Sequence, residues 1–285
     1  FDVVGNNGVN VVWTSSQPEI LSHQGYFVPP VETTEILLTA TLTYEGASIQ
    51  KVFKMYAIGI GHTEDLTIAQ AIENAKVGQN VVQSYVTLTG LTVMGKTNDG
   101  ILLGDPTGLI FVYYPNHLEQ TIHVGSTYDV TGTMTRYFGA WQLTNAMGQI
   151  VFRESNANPY LLEPVVVSSI TDMLSNHPVP DGNHPDLFYG YYQITGKVMI
   201  SSTSDNYGTT IVNVDYEGDG IPVTSGSIHT DEGVVVFFQS NNQAFYDFDG
   251  QVVTFKAFLY AYRTDRLVFT ILFFGTEADI IINPS

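Results

Sequence analysis

The chain has 285 residues, no cysteine, and 28 acidic against 10 basic residues, which gives a formal net charge of −18. The length suits two or three domains, and the absence of cysteine excludes disulfides, thiolate metal sites and cysteine nucleophiles. The negative charge disfavours polyanionic partners, because each phosphate contact needs a lysine or arginine. No segment approaches the roughly 18 uninterrupted apolar residues of a membrane span, so we expect no membrane insertion.

Residues 1–61 are predicted to form short strands without helical periodicity. Apolar and polar residues alternate in "VVWTS" and "ILLTATLTY", and "QKVFKMYAI" follows as a further strand. The turn-rich clusters "SSQPE" and "SHQGY" separate the first two. Short alternating strands between turn clusters are typical of a β-sandwich, which is the fold that we expect for this segment.

The sequence of this segment resembles the bacterial immunoglobulin-like repeats of surface and secreted proteins. The resemblance is carried by "VVWTSSQPEILSHQGYFVPP" and "LLTATLTYEGASIQKVFKMYAI", with a tryptophan-serine motif, an L-T-A-T strand and a K-x-F strand. The family's opening strand and linker are missing, so the domain is expected to be truncated at its N-terminus. The resemblance implies an extracellular or cell-surface location, a spacer or stalk role, and further domains in a longer parent protein.

Residues 62–155 begin with one amphipathic helix, "EDLTIAQAIENAKVGQ". Its apolar face recurs at helical spacing, Thr67 is the expected N-cap and Gly78 the expected end. Five strands follow: "NVVQSYVTLTGLTVMG", "GILLGD", "GLIFVYYP", "STYDVTGTMTRYFG" and "AWQLTNAMGQIVFRE". They predict a five-stranded Greek-key barrel of the oligonucleotide/oligosaccharide-binding (OB) kind.

The motifs of this barrel also resemble OB-fold domains of secreted and surface-anchored bacterial proteins. The resembling stretches are "VTLTGLTV", "GILLGDPTGLIFVYYP" and "VGSTYDVTGTMTRYFGAWQL". Some proteins of that group are extracellular nucleases with a separate catalytic domain. The resemblance therefore implies the fold, and it adds nucleic-acid binding beside a distant catalytic domain as one role to weigh.

Residues 156–285 repeat this plan. "SSITDML" takes the place of the helix, and "YGYYQITGKVMISS" parallels "VQSYVTLTGLTVMG" around a shared I/L-T-G. Further strands are "GTTIVNVDYEGDGIPV", "VVVFFQS", "DFDGQVVTFKAFLYAYRTD" and "RLVFTILFFGTEADIII". Such self-similarity predicts an internal duplication and a second, diverged OB-like barrel.

Two acidic stretches could carry chemistry, and both also suit turns. In "LLGDPTGLIFVYY", Asp105 has no neighbouring acid, base or metal partner, so we predict a hairpin turn in which it bonds nearby backbone. In "DYEGDGIPV", Asp215, Glu217 and Asp219 precede Gly220 like the start of a calcium loop, although the closing glutamate is missing. This stretch is a candidate Ca²⁺ site or an acidic turn, and no other cofactor is expected.

Aromatic residues give the strongest indication of ligand binding. Tyr113, Arg136, Tyr137 and Trp141 fall on or between strands three to five of the first barrel, and Tyr260, Tyr262, Arg263 and Arg266 form a comparable set in the second. Aromatic rings stack on sugars and on bases, whereas alternate aromatics of a barrel strand also face the core. Both orientations remain open at this point.

The sequence carries none of the G-x-S-x-G, H-E-x-x-H, P-loop or dinucleotide motifs, so we do not expect an enzyme. The expected role is a non-catalytic spacer or binding region of a larger secreted or cell-surface bacterial protein. The alternatives are a nucleic-acid-binding accessory region of an extracellular nuclease and a carbohydrate-binding adhesin region. Residues 62–155 contain four basic and eight acidic residues, whereas residues 156–285 contain four basic and fifteen acidic ones. A polyanion should therefore be repelled less by the first barrel than by the second.

Overall fold

The structure is a computed structural model, and it describes residues 8–28, 30, 34–57, 65–77, 80–81, 84–115, 122–175, 189–201, 210–218, 232–263 and 268–283. The fold is mainly β, with a three-stranded sheet followed by two closed five-strand barrels. The predicted fold class is thus confirmed. Within the described ranges, no helix is long and apolar enough to cross a membrane.

The N-terminal sheet is antiparallel and has the order β1-β2-β3. Its strands are β1 (Asn10–Ser15), β2 (Thr34–Tyr44) and β3 (Ala47–Ala57). The period-two pattern of β2 buries Ile36 and Leu38 in a small core, and Trp13 packs on Phe53 with ring centroids 5.9 Å apart. Most of β3 is exposed, so this sheet has one thin apolar layer in the part of the segment that is described.

The first barrel closes through five of its strands in the order β7-β8-β9-β11-β10 and back to β7. The elements of this region are β4 (Asp65–Leu66), α1 (Ile68–Ala75), β5 (Lys76–Val77), β6 (Asn80–Val81), β7 (Tyr85–Lys96), β8 (Gly100–Asp105), β9 (Gly108–Tyr113), β10 (Thr127–Tyr137), β11 (Ala140–Thr144) and β12 (Val151–Glu154). Strands β9 and β11 pair in parallel, and the other four pairings of the ring are antiparallel.

The predicted helix is present as α1, and its apolar face is buried as expected. Thr67 is the N-cap and forms a capping box with Gln70. The helix ends at Ala75, three residues before the predicted Gly78, because Lys76 and Val77 are extended and form β5.

The second barrel has the same topology, closing as β14-β15-β16-β18-β17 and back to β14. Its region contains β13 (Val165–Val167), α2 (Ile170–Leu174), β14 (Tyr191–Ser201), β15 (Ile211–Asp215), β16 (Gly233–Val236), β17 (Val252–Arg263), β18 (Val268–Leu272) and β19 (Ile281–Ile282), with 3₁₀ helices at Asn242–Phe248 and Glu277–Asp279. Strands β16 and β18 are the parallel pair.

The two barrels share details beyond strand order, in agreement with an internal duplication. Each has a short leading strand parallel to its first barrel strand, and a trailing strand antiparallel to its fourth. Leu88 and Ile194, the residues before the shared Thr-Gly, pair with the leading strand at Leu66 and Val167 respectively. The I/L-T-G motif therefore occupies the same register in both barrels.

An apolar interface joins the barrels. Leu102, Leu109, Phe111 and Ala140 of the first barrel belong to the same buried cluster as the core of the second. At this interface a Cβ atom on Gly95 would overlap the ring of Phe274, so glycine is needed for the observed approach. The barrels are thus packed directly against each other, and a cleft opens where their surfaces part.

Candidate functional site

A cleft between the barrels, distinct from another one lined by Thr92, Tyr191 and Phe274, is the candidate functional site. It has a volume of about 560 Å³ and takes residues from both barrels. The first barrel contributes Asp99, Tyr113, Tyr137 and Gln142. The second contributes Phe237, Phe238, Gln239 and Tyr260. Five of the eight lining residues are aromatic, and no lysine or arginine lines the cleft among the residues that the structure describes.

Two tyrosines form the accessible wall of the cleft because both stand at strand ends. Tyr113 is the last residue of β9 and Tyr137 the last of β10, and their exposed fractions are 44% and 38%. A two-residue turn at Phe138 and Gly139 joins β10 to β11, with φ of +43° and +80°. A positive φ is strained for a residue as bulky as phenylalanine, and such strain is concentrated at functional sites in proteins.

The floor of the cleft is the ring of Tyr260 on β17, which is 6% exposed. This ring lies 5.1 Å from that of Phe111 and 5.0 Å from that of Phe237, measured between centroids. The rings of Tyr137 and Tyr189 are each 6.3 Å away. Burial raises the pKa of the neighbouring Tyr189 hydroxyl well above its usual value.

The polar groups of the cleft are two amides and one carboxylate. The Oε1 atom of Gln239 is buried, and no group in the described ranges donates a hydrogen bond to it. Gln142 is 8% exposed and stands on β11. Asp99 is half-buried, with its N–H donating to Thr97 Oγ1 (3.2 Å) and its carbonyl accepting from the Tyr114 N–H (2.8 Å). These backbone contacts fix Asp99, while no described group donates a hydrogen bond to its carboxylate.

Of the aromatic residues singled out in the sequence, three reach the cleft: Tyr113, Tyr137 and Tyr260. Trp141 is 1% exposed and belongs to the core of the first barrel. The Arg136 guanidinium lies over the indole of Trp141, with Cζ 4.4 Å from the ring centroid, in a cation–π contact. Trp141 and Arg136 are partners across the β10–β11 hairpin and do not line the cleft.

In the second predicted set, Tyr260 lines the cleft, whereas Tyr262 does not. Tyr262 is 6% exposed and packs against Phe269 at a centroid distance of 4.9 Å, inside the second barrel. Arg263 is the last residue of β17, and its side chain lies outside the described part of the chain, as does Arg266.

Asp105 has the structural role that the sequence predicted for it. Its Oδ1 accepts from the backbone N–H groups of Thr107 (2.7 Å) and Gly108 (3.0 Å), and its Oδ2 accepts from the N–H of Ile68 (2.9 Å), the first residue of α1. The break between β8 and β9 is therefore a turn whose carboxylate also anchors a helix.

Asp215 occupies the equivalent position at the end of β15. It is 2% exposed, and its Oδ1 accepts from the N–H of Gly218 at 2.9 Å, three residues on, as in the Asp105 turn. Glu217 is exposed, and Asp219 lies outside the described residues. No group of three or more potential metal ligands occurs in the described ranges. The Ca²⁺ site at Asp215, Glu217 and Asp219 thus remains a prediction.

Sequence reasoning missed five of the lining residues. Asp99 and Gln142 lie in separate parts of the first barrel, and residues 237–239, which the sequence places inside the predicted strand "VVVFFQS", follow the end of β16 at Val236. No local pattern distinguishes them, because they meet only through the packing of one barrel on the other.

Comparison with known protein families finds a match at the N-terminus. Residues 1–58 match the family model of the atrophied bacterial Ig domain. No curated protein and no solved structure matches the chain. The chain therefore carries a bacterial Ig-like domain at its N-terminus, a type of domain typical of surface or secreted proteins.

Proposed function

We propose that this chain is a non-catalytic binding region of a larger secreted or cell-surface bacterial protein, and that the cleft between its barrels binds a saccharide. The Ig-like domain supports the surface or secreted setting. The five-strand Greek-key ring with one parallel pair, present twice, supports an OB-like assignment for both barrels, a fold that binds oligosaccharides and oligonucleotides.

The observation that carries the proposal is the combination of rings and amides in one cleft. Tyr113 and Tyr137 are partly exposed residues that line the cleft, and aromatic rings of this kind can stack on the apolar C–H faces of a sugar. The buried Oε1 of Gln239 accepts no hydrogen bond from the described residues, and a sugar hydroxyl is a donor of suitable size. A volume of about 560 Å³ is in the range of small-ligand sites.

Charge favours a saccharide over a nucleic acid. Backbone phosphates require lysine or arginine, and the described lining of the cleft has an aspartate instead. Arg136, the cation nearest in sequence to the tyrosine wall, is engaged with the ring of Trp141. The net charge of −18 adds repulsion toward any polyanion at low salt.

The proposal of binding without catalysis rests on the acid groups. Hydrolysis of a glycosidic bond generally uses two carboxyl groups that face each other across the bond. Asp99 is the one carboxylate in the described lining of the cleft. This composition supports recognition of an intact glycan.

The test is a glycan array followed by isothermal titration calorimetry of the best ligand, at low and at moderate salt. We expect binding that is insensitive to salt and is weakened about fivefold or more in Tyr113→Ala and in Tyr137→Ala, since a lost stacking contact on an aromatic ring is worth about 1–3 kcal/mol. Tyr44→Ala is the matched control, because this tyrosine is 48% exposed on the N-terminal sheet.

A labelled single-stranded oligonucleotide, titrated under the same two salt conditions, tests the rival function. Salt-sensitive binding that is weakened in Arg136→Ala would favour the nuclease-accessory role and contradict the saccharide proposal.

A further inference from the structure

We infer that the cleft selects saccharides that carry a free, protonated amino group, and that Asp99 receives this group. The inference rests on the proposed function and adds the ligand class. Binding of a neutral sugar would leave the carboxylate of Asp99 unused. Asp99 lines the cleft, and no described residue donates a hydrogen bond to its carboxylate or forms a salt bridge with it.

The position of Asp99 is fixed by the chain around it. The hydroxyl of Thr97 accepts from the N–H groups of Asp99 (3.2 Å) and Gly100 (3.1 Å) in the turn between β7 and β8. The Asp99 carbonyl accepts from the N–H of Tyr114, the residue after the wall tyrosine Tyr113. Asp99 and Tyr113 are thereby held on neighbouring chain segments at the same end of the barrel.

The surroundings of this carboxylate suit an organic cation. A cation is attracted to the faces of aromatic rings, and the rings of Tyr113, Tyr137 and Tyr260 line the same cleft. Burial of part of the Asp99 side chain strengthens its attraction for a cation relative to bulk water. An ammonium group has three N–H donors, which a carboxylate with no other donor can accept.

The cleft also contains what the rest of an amino sugar would need. The amides of Gln142 and Gln239 can bond ring hydroxyls, and the tyrosine wall can stack on the sugar face. An acetylated amine has no charge, so it loses the attraction to Asp99. A uronic acid adds a negative charge that both Asp99 and the net charge of −18 repel.

The inference therefore predicts an order of affinity among oligosaccharides of equal length. A glucosamine oligosaccharide binds most tightly, its N-acetylated counterpart about tenfold more weakly, and a galacturonate oligosaccharide weakest of all. Calorimetry with the full chain in mildly acidic buffer, where the amines are protonated, measures all three.

The decisive variant is Asp99→Asn, which removes the charge and preserves the shape of the side chain. We expect it to lower the affinity for the glucosamine oligosaccharide to that of the acetylated form, and to leave the affinity for the acetylated form unchanged. Asp247→Asn is the matched control, because Asp247 is exposed and does not line the cleft.

Failure of the inference and failure of the proposed function give different results. A wild-type chain that binds all three saccharides equally through Tyr113, or an amine preference that survives in Asp99→Asn, overturns the inference and leaves saccharide binding intact. A wild-type chain that binds no saccharide overturns both.

Discussion

Replacement of Asp105 by asparagine is predicted to destabilise the first barrel without touching the proposed ligand site. The Asp105 carboxylate accepts four hydrogen bonds: from the Thr107 N–H (2.7 Å), the Thr107 hydroxyl (2.6 Å), the Gly108 N–H (3.0 Å) and the Ile68 N–H (2.9 Å). The residue is 5% exposed, so water cannot replace lost partners. Asparagine keeps one oxygen for the turn, but its amide nitrogen would face the N–H of Ile68 as a second donor.

The expected cost follows from that change. One charge-assisted hydrogen bond is worth about 1.5–3 kcal/mol, and a buried donor left without an acceptor adds about 1–3 kcal/mol. We therefore expect Asp105→Asn to lower the free energy of unfolding by about 2.5–6 kcal/mol. Asp105→Ala, which removes all four bonds, should cost at least as much.

Urea unfolding followed by tryptophan fluorescence measures this loss, since Trp141 is buried in the same barrel. Asp99→Asn is the matched control, because no described group donates to that carboxylate, and its effect should stay within about 0.5 kcal/mol. An Asp105→Asn midpoint equal to that of Asp99→Asn would refute the assignment of Asp105 as an anchor between turn and helix.

Three further predictions concern the cores and the interface. Trp141→Ala should cost about 3–5 kcal/mol of unfolding free energy, because a fully buried indole leaves a cavity, and a variant with near-normal stability would contradict its placement. Gly95→Ala should cost about 1–3 kcal/mol, because its Cβ overlaps the ring of Phe274, and denaturant titration beside Gly108→Ala, whose Cβ makes only ordinary contact, tests this. Burial raises the pKa values of Tyr192 and Tyr216 above those of the unfolded chain. Their burial in the neutral form therefore contributes fully to the free energy of unfolding below about pH 10, and this contribution is lost as the pH rises further. The urea midpoint measured from about pH 8 to pH 11.5 should fall above about pH 10, and a flat profile would contradict the burial of these hydroxyls.

The strands and the first helix were predictable because their signals are local. The apolar face of α1 is visible as a spacing of three and four residues, and the capping threonine precedes it in sequence. The barrel strands show alternating apolar and polar residues and are separated by turns rich in glycine and aspartate. The I/L-T-G motif, present in both halves, marks the duplication. Each of these signals is contained in a short stretch of the sequence.

The ligand site was predictable only in part. Tyr113, the last residue of β9, is exposed, whereas Trp141, the second residue of β11, is buried in the core of the first barrel. The sequence pattern alone does not fix that difference, since both lie in alternating aromatic runs. Gln239 becomes a neighbour of the tyrosines only through the interface between barrels, and a contact so distant along the chain leaves no local pattern.

The most direct test of the central claim is a glycan array probed with the wild-type chain and with the double variant Tyr113→Ala/Tyr137→Ala. We predict that the wild-type chain binds a set of neutral or amino-bearing glycans, with the same affinity for each glycan at low and at moderate salt. The folded double variant should lose this binding. Retention of glycan binding by the double variant, or wild-type binding to no glycan, would contradict a saccharide site in the cleft between the barrels.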